Sequence, residues 1–297
     1  MSVKISVVIG TYNQSEVLQK VLPEYENQLC DKNDYEVILV DSSSSDSTHQ
    51  FLQSFKPTFN FKYLIQENKG KASARNEGAK LAYGQYLIVT DADMIPSPTF
   101  VSAHLQAHID AKQECCFEGL AWNMSKLEWP IKQAQLTPQV GTFPKNMSKL
   151  GWYYFLTGNL SLSKNLFFKN NGFDERFQSY GWEDLELGYR LSKQKVKLFY
   201  LKPSVNYHYH VITKEEEVLR CLKKGESSLL FLKLHPELKW FLGFNPISKF
   251  IFPRISKSSF LYKLFTTFFK SNNRLKKDFG FWFLKEWHYL NGALKKR

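Results

Sequence analysis

Two aspartates separated by one residue, Asp91-Ala92-Asp93, close a short strand-like run, Tyr86-Leu-Ile-Val-Thr90. Carboxylates this close repel one another unless positive charge lies between them. Magnesium or manganese answers that need, because hard cations take oxygen ligands and keep positions open for phosphate oxygens. The same pair also serves as turn aspartates before a helix expected from about Ser97, so D-x-D alone leaves both readings open. A second acidic group stands far downstream in Tyr180-Gly-Trp182-Glu183-Asp184-Leu-Glu186-Leu. Acidic side chains in a first helical turn complement the helix dipole. The competing role is that of a general base, which a carboxylate in a partly apolar pocket walled by Trp182 and Tyr180 suits.

Both groups need elements to carry them. Ile5–Ile9, Tyr35–Val40, Phe61–Ile65 and Tyr86–Thr90 are strand-like, and helical patterns follow each of the first three. The first of these helices, from about Ser15 to Gln28, contains Pro23, which kinks it. Strand and helix alternating with short connections predict a parallel α/β sheet with helices on both faces and right-handed crossovers. Thr11, Asp41 and Asp91/Asp93 then gather beyond the carboxyl ends of their strands, where open sheets bind ligands. Gly10-Thr-Tyr-Asn13 carries neither G-x-G-x-x-G nor a P-loop, so any phosphate must be held by another device. Further on, Ser97 to about Ala111 is expected to be helical and Cys115–Glu118 a strand. Residues 122–152 are irregular, and Val196–Leu201 is another strand. The pentapeptide Asn123–Leu127 recurs word for word as Asn146–Leu150; one short repeat is not a solenoid.

Composition narrows the class. Residues 214–297 hold 18 Lys/Arg and 7 Asp/Glu, whereas 1–213 hold 22 and 21. The front of the chain is nearly neutral and the tail is a local basic face, which argues against a nucleic-acid-binding protein. Cys30, Cys115, Cys116 and Cys221 lack zinc-site spacing, as expected of free thiols in a reducing compartment. The N-terminal residues 1–9 look like a first strand rather than a signal peptide. No apolar run reaches the ~18–20 residues of a spanning helix. A cytoplasmic protein, with the option of peripheral attachment to the inner face of the membrane, is the expectation.

Four ordered segments carry a family resemblance: Val8-Ile-Gly-Thr-Tyr-Asn13, Val40-Asp-Ser-Ser-Ser-Ser-Asp-Ser-Thr48, Asn68-Lys-Gly-Lys-Ala-Ser-Ala-Arg75-Asn76-Glu-Gly78 and Thr90-Asp-Ala-Asp93. Together they resemble the nucleotide-sugar half of family 2 glycosyltransferases of the GT-A fold, over roughly the first two-thirds of the chain. Trp182-Glu-Asp-Leu-Glu-Leu resembles the C-terminal signature that family 2 shares with galactosyltransferases. The resemblance implies a UDP-sugar donor, with Asp41 accepting the uracil N3–H. Thr11, Tyr12 and Asn13 lie in the loop that frames the base, and Arg75 lies beside it. Asp91 would contact the ribose or a metal-bound water, and Asp93, flanked by Ala92, would bind Mn2+ or Mg2+. Gly158, in Thr157-Gly-Asn-Leu-Ser161, matches the small-residue turn against the donor sugar, although a plain strand-entry turn has the same composition. The base role passes to Asp184, hydroxyl binding to Glu183 and sugar contact to Trp182. The carboxylate at 184, where retaining relatives often carry Asn, favours inversion. By its interval from the base helix His208 is the implied metal-binding histidine, with His210 the second choice.

The expected organisation is a catalytic domain over 1–213, with a nucleotide-binding half 1–95 and an acceptor half 96–213, and a helical, basic, aromatic extension over 214–297. A helix is expected from Lys214 to about Leu234. Aromatics interleaved with lysines suit an anionic membrane surface, where lipid-linked glycan acceptors reside, or simple packing on the folded protein. The resulting expectation is an inverting transferase acting on a glycan or lipid-linked glycan in surface polysaccharide synthesis. A nucleotidyltransferase of the same fold and a non-catalytic glycan- or membrane-binding module are the alternatives. The first lacks its expected glycine-rich basic loop.

Overall fold

The computed structural model describes residues 3–138, 144–209, 212–250, 252 and 258–294. The chain divides into two compact units. One runs up to Glu175 and resumes from Glu183 until just before Ile212. The other comprises Arg176–Trp182 and the chain from Ile212 onward. Residues 176–182 therefore leave the expected catalytic domain and join the extension.

The first unit is built on one sheet. Its strands are β1 (Ile5–Thr11), β2 (Tyr35–Asp41), β3 (Asn60–Ile65), β4 (Tyr86–Asp91), β5 (Met94–Pro96), β6 (Cys115–Met124), β7 (Leu136–Pro138), β8 (Lys149–Leu150), β9 (Leu160–Ser163) and β10 (Lys197–His208). Their order is β3-β2-β1-β4-β9-β6-β10-β5, with β7 on β6 and β8 on β10. β1 to β4 are mutually parallel, β9 runs against both β4 and β6, and β10 is parallel to β6. β1, β2 and the middle of β4 are buried, as strands covered on both faces must be, whereas β3 at the sheet edge is half-buried to exposed.

Helices α1 (Ser15–Val21), α2 (Thr48–Ser54), α3 (Lys71–Leu81), α4 (Phe100–Asp110), α5 (Lys164–Lys169) and α6 (Glu183–Lys193) complete this unit. Pro23 does more than kink the first helix: the chain tightens at Leu22 into a 3-10 turn running to Asn27. α3 lies close on β1 and β2 because Gly78 has no side chain. A Cβ there would stand 2.5 Å from Val8 Cγ1. Val8 is a stiff, wholly buried strand residue, so Gly78→Ala should overpack the contact and cost about 1–3 kcal/mol despite alanine's better helix propensity. Urea denaturation measures it, and an unchanged midpoint would contradict the close approach.

In the second unit, helices Lys214–Leu234, Ser259–Phe269 and Arg274–Ala293 dominate. The first begins with a reciprocal cap, Thr213 with Glu216. Phe231, Phe269, Leu284 and Trp287 are buried. Much of the aromatic content of the tail is thus this unit's own core.

Candidate active site

Strand register assembles the first part of the site. On β1, Thr11 is level with Asp41 of β2, and Gly10 is level with Asp91 of β4. The three strand ends point the same way, so Thr11, Asp41 and Asp91 meet at one edge, as the alternation of elements predicts. Asp41 is wholly buried. Its oxygens accept from Ser44 N–H and Ser44 Oγ, and it is paired with His49 Nε2. His49 sits in the first turn of α2 and was not legible as a site residue, because an eight-residue interval across a serine-rich loop carries no recognisable period. Asn13, in the left-handed region at φ 53, receives Ser45 N–H on its Oδ1 at 2.7 Å. The Thr11 hydroxyl is buried without a hydrogen-bond partner among the described residues. Tyr12 is exposed.

Arg75 takes a position the sequence does not announce. Its guanidinium is 2% exposed and bridges two carboxylates 108 and 16 residues away in sequence. Nη1 donates to Glu183 Oε1 at 2.9 Å and Nη2 to Asp91 Oδ1 at 2.7 Å. Lys71, one turn earlier on α3, stands 3.5 Å from the same Asp91 oxygen. Burial alone would raise the Asp91 pKa, but Lys71 and Arg75 together hold it below the ordinary carboxylate range. The resemblance put Arg75 beside the base; the structure occupies its donors with Asp91 and Glu183 instead.

Glu183 opens α6. One of its oxygens is taken by Arg75, and the other, Oε2, is buried with no hydrogen-bond partner among the described residues. Asp184 follows, half-buried, with Oδ1 accepting from Leu185 N–H at 2.8 Å. Desolvation, reinforced by the Glu183 carboxylate and opposed by Arg75, pushes the Asp184 pKa up to about 6. The remaining polar residues of the motif serve structure. Glu186 accepts from Arg190 Nε at 2.8 Å, and Arg190 Nη2 donates to Gly172 O at 2.7 Å, fastening the turn before the helix. On β6, Glu118 is also buried, and its carboxyl is raised well above the usual range, chiefly by desolvation.

Asp93 and His208 form the third part. His208 ends β10, level with Met94 of β5 and Asn123 of β6. Its Nδ1 lies 3.3 Å from Asn123 Oδ1. An amide oxygen only accepts, so this contact is met by the tautomer with its proton on Nδ1, in which Nε2 is the acceptor nitrogen. Nε2 stands 3.6 Å from Asp93 Oδ2. A carboxylate oxygen and an imidazole lone pair converging in this way fit a divalent cation with mixed oxygen and nitrogen ligands. Among the described residues no group of three or more His, Cys, Asp or Glu is placed to hold a metal. A cation held by these two side chains would need substrate oxygens for its remaining positions, as magnesium sites commonly do. His210 lies outside the described residues. The two copies of the repeated pentapeptide differ in use: Asn123 backs His208, whereas Asn146 Oδ1 accepts Lys202 N–H at 3.0 Å.

Gly158 joins these parts. Its carbonyl accepts from Thr90 Oγ1 at 2.8 Å and Asn206 Nδ2 at 2.6 Å, tying the strand that delivers Asp91 to the strand that delivers His208. A Cβ at 158 would lie 2.6 Å from Met94 Cε, the end of a flexible side chain that can move aside. Ala92 is wholly buried between the two aspartates. Trp182 belongs to the second unit. Its Nε1 donates to Lys224 O at 2.8 Å, and its ring packs against Phe231, Phe241 and Tyr289. That indole is only 7% exposed, so the structure uses it in a core where the sequence suggested a pocket wall. Tyr180, in the same unit, is exposed beneath Arg220.

Residues 6–169 match the model for glycosyl transferase family 2, and residues 139–214 match that for the N-terminal domain of galactosyltransferase. Validoxylamine A glucosyltransferase of Streptomyces hygroscopicus is 30% identical over 262 residues, covering 79% of this chain and 61% of that protein. The chain thus spans about three-fifths of that relative. The fold resembles S. aureus TarS 1–349 in complex with UDP-GlcNAc, at TM-score 0.60 and 16% identity, covering 95% of this chain and 90% of that one. It also resembles the mannosyltransferase PcManGT from Pyrobaculum calidifontis in complex with GDP-Man and Mn2+, at TM-score 0.64 and 14% identity, covering 100% and 89%.

Proposed function

The chain belongs to glycosyl transferase family 2, and on that premise we propose that it moves a sugar, with inversion, from a UDP-sugar to a hydroxyl of a glycan or lipid-linked glycan. One observation carries this reading: Arg75 ties a donor-side carboxylate, Asp91, to the helix that starts with Glu183 and Asp184. Donor and acceptor chemistry thereby share one small volume. Thr11 and Asp41 supply hydrogen-bonding groups for the base, with the Thr11 hydroxyl still unsatisfied. A carboxylate that accepts an imide N–H reads uracil or thymine and rejects cytosine, which has no proton there. Asp93 and His208, with Asp91 behind them, would hold Mn2+ or Mg2+, which when bound neutralises charge on the diphosphate.

Glu183 Oε2 orients the acceptor hydroxyl by accepting its hydrogen bond. Asp184 then takes the hydroxyl proton onto a carboxylate oxygen as the acceptor oxygen attacks the anomeric carbon from the face opposite the nucleotide, and UDP departs. A base with a pKa of about 6 is mostly ionised at neutral pH yet still basic enough to accept a proton. The acceptor in this reading belongs to surface polysaccharide synthesis. Its support is the basic, aromatic second unit, which suits a protein working peripherally on the inner face of a membrane beside lipid-linked glycans.

The test is a panel of UDP-, GDP- and dTDP-sugars assayed for hydrolysis without acceptor, with and without manganese. UDP-sugars should be cleaved fastest and only with the metal. A preference for GDP would remove the role given to Asp41. Turnover of the preferred donor should also fall about tenfold per pH unit below about 6, as Asp184 becomes protonated. A flat profile between pH 5 and 7, on the order of the range a carboxyl base at this pKa must control, would contradict the assignment of the base.

A further inference from the structure

The last helix, Arg274–Ala293, keeps an exposed apolar stripe beside its buried side. Leu275, Phe279 and Trp282 follow one another at the spacing that places side chains on one side of a helix. They are 81%, 49% and 56% exposed. Phe279 and Trp282 stack at 5.9 Å, so the stripe is continuous. The buried side of the helix explains why the stripe is left over. Gly280, Leu284 and Trp287 are buried, and Phe283 stacks at 3.5 Å on Phe265 of the preceding helix. Arg274 and Lys276, on either flank of Leu275 round the helix, border the stripe, and both are exposed. Asp278, the acidic residue among them, lies 3.7 Å from Lys214 and 3.8 Å from Arg274. Glu286, one turn beyond Trp282, marks where the apolar run ends.

We propose that Leu275, Phe279 and Trp282 insert into the headgroup region of an anionic lipid surface, with Arg274 and Lys276 on the lipid phosphates. Charge decides the occupant. A second copy of this chain would bring the two cations against their own copies, whereas an anionic bilayer is complementary to them. Large apolar side chains edged by cations are the composition of an interfacial helix. Among the described residues no helix is long and apolar enough to span a membrane, so contact of this kind lies in the interface. Two basic residues near such a surface strengthen binding by on the order of thirtyfold relative to a neutral one. The proposal deepens the peripheral placement offered above but does not depend on the donor or on the catalytic residues.

The experiment is flotation of the full chain with vesicles of phosphatidylcholine alone and of phosphatidylcholine mixed with phosphatidylglycerol. The wild type should float with the mixed vesicles and hardly at all with the neutral ones. Leu275→Ser/Phe279→Ser/Trp282→Ser and Arg274→Glu/Lys276→Glu should each stay in solution while keeping the wild-type circular dichroism and donor hydrolysis. Circular dichroism is the control for Phe279, whose ring also meets Phe265 edge-on at 5.6 Å. Flotation of the triple-serine protein at the wild-type level would overturn the proposal, as would equal binding to neutral vesicles. So would a concentration-dependent dimer, abolished by the same substitutions, in a wild type that ignores vesicles. Loss of flotation with hydrolysis intact bears on this face alone, and loss of hydrolysis with flotation intact bears on the catalytic reading alone.

Discussion

Asp184→Asn should lose about 10²–10⁴ in turnover while still binding UDP, the range that a positioned general base contributes. Isothermal titration with UDP and a radiolabelled transfer assay separate the two. The same substitution should make the protein more stable at neutral pH, and the sign follows from linkage. The folded-state pKa of Asp184 is raised to about 6, chiefly by desolvation. A carboxyl whose pKa rises on folding binds its proton more tightly in the native state, so it lowers stability as pH climbs from its unfolded value, near 4, to its folded one. Asparagine carries no charge to desolvate. The variant's melting temperature should therefore exceed that of the wild type at pH 7 and approach it near pH 4, within the carboxyl range that sets this window. Gained stability together with lost turnover is the mark of a residue kept for chemistry at the expense of the fold. Wild-type turnover in this variant would remove Asp184 from the mechanism.

Arg75→Ala should be the most destabilising single change at the site. The guanidinium is buried and answers Asp91 and Glu183 at once, so its removal leaves two carboxylates facing each other. Breaking a buried pair by deleting one partner costs about 3–5 kcal/mol. Asp91 is held below the usual carboxylate range by Lys71 and Arg75 against the pull of burial. Its contribution to stability is present above its unfolded pKa and fades as pH falls through the lower folded one. The gap between wild type and variant should accordingly be widest near neutrality and narrow on acidification, which urea titrations at several pH values will show. Arg75→Lys keeps one charge but cannot fork to two carboxylates. It should recover part of the stability and little of the transfer rate. A variant as stable as wild type at neutral pH would mean that the bridge contributes nothing to the fold.

These two residues also show how far the amino-acid order can be taken. Asp184 stands out by itself: three acidic residues crowd one helical turn behind an aromatic, and that pattern is either a cap or a base. Its raised pKa is a property of its surroundings, and no local pattern encodes the loss of water around it. Arg75 on its own is one more cation in the polar first turns of a helix. What makes it the bridge is the short distance between α3 and the strand ends, set by Gly78 on Val8, together with the arrival of α6 from a hundred residues downstream. His49 and Asn123 were invisible for the same reason. Each matters through one partner, Asp41 or His208, reached by a crossover or by strand pairing rather than by spacing along the chain.

The sequence by itself determined the alternation of strands and helices, the parallel edge where Thr11, Asp41 and Asp91 meet, and the helix from Lys214 to Leu234. Periodicity and chirality are local rules, and they leave few ways to wind such a chain. Only the tertiary structure decided which carboxylate faces which cation, that Trp182 packs into a core instead of lining a pocket, and that the aromatics of the tail divide between an interior and an exposed stripe. Those outcomes depend on which surfaces lose their water to which neighbours, and desolvation is a property of the folded assembly of side chains that no single stretch of residues contains.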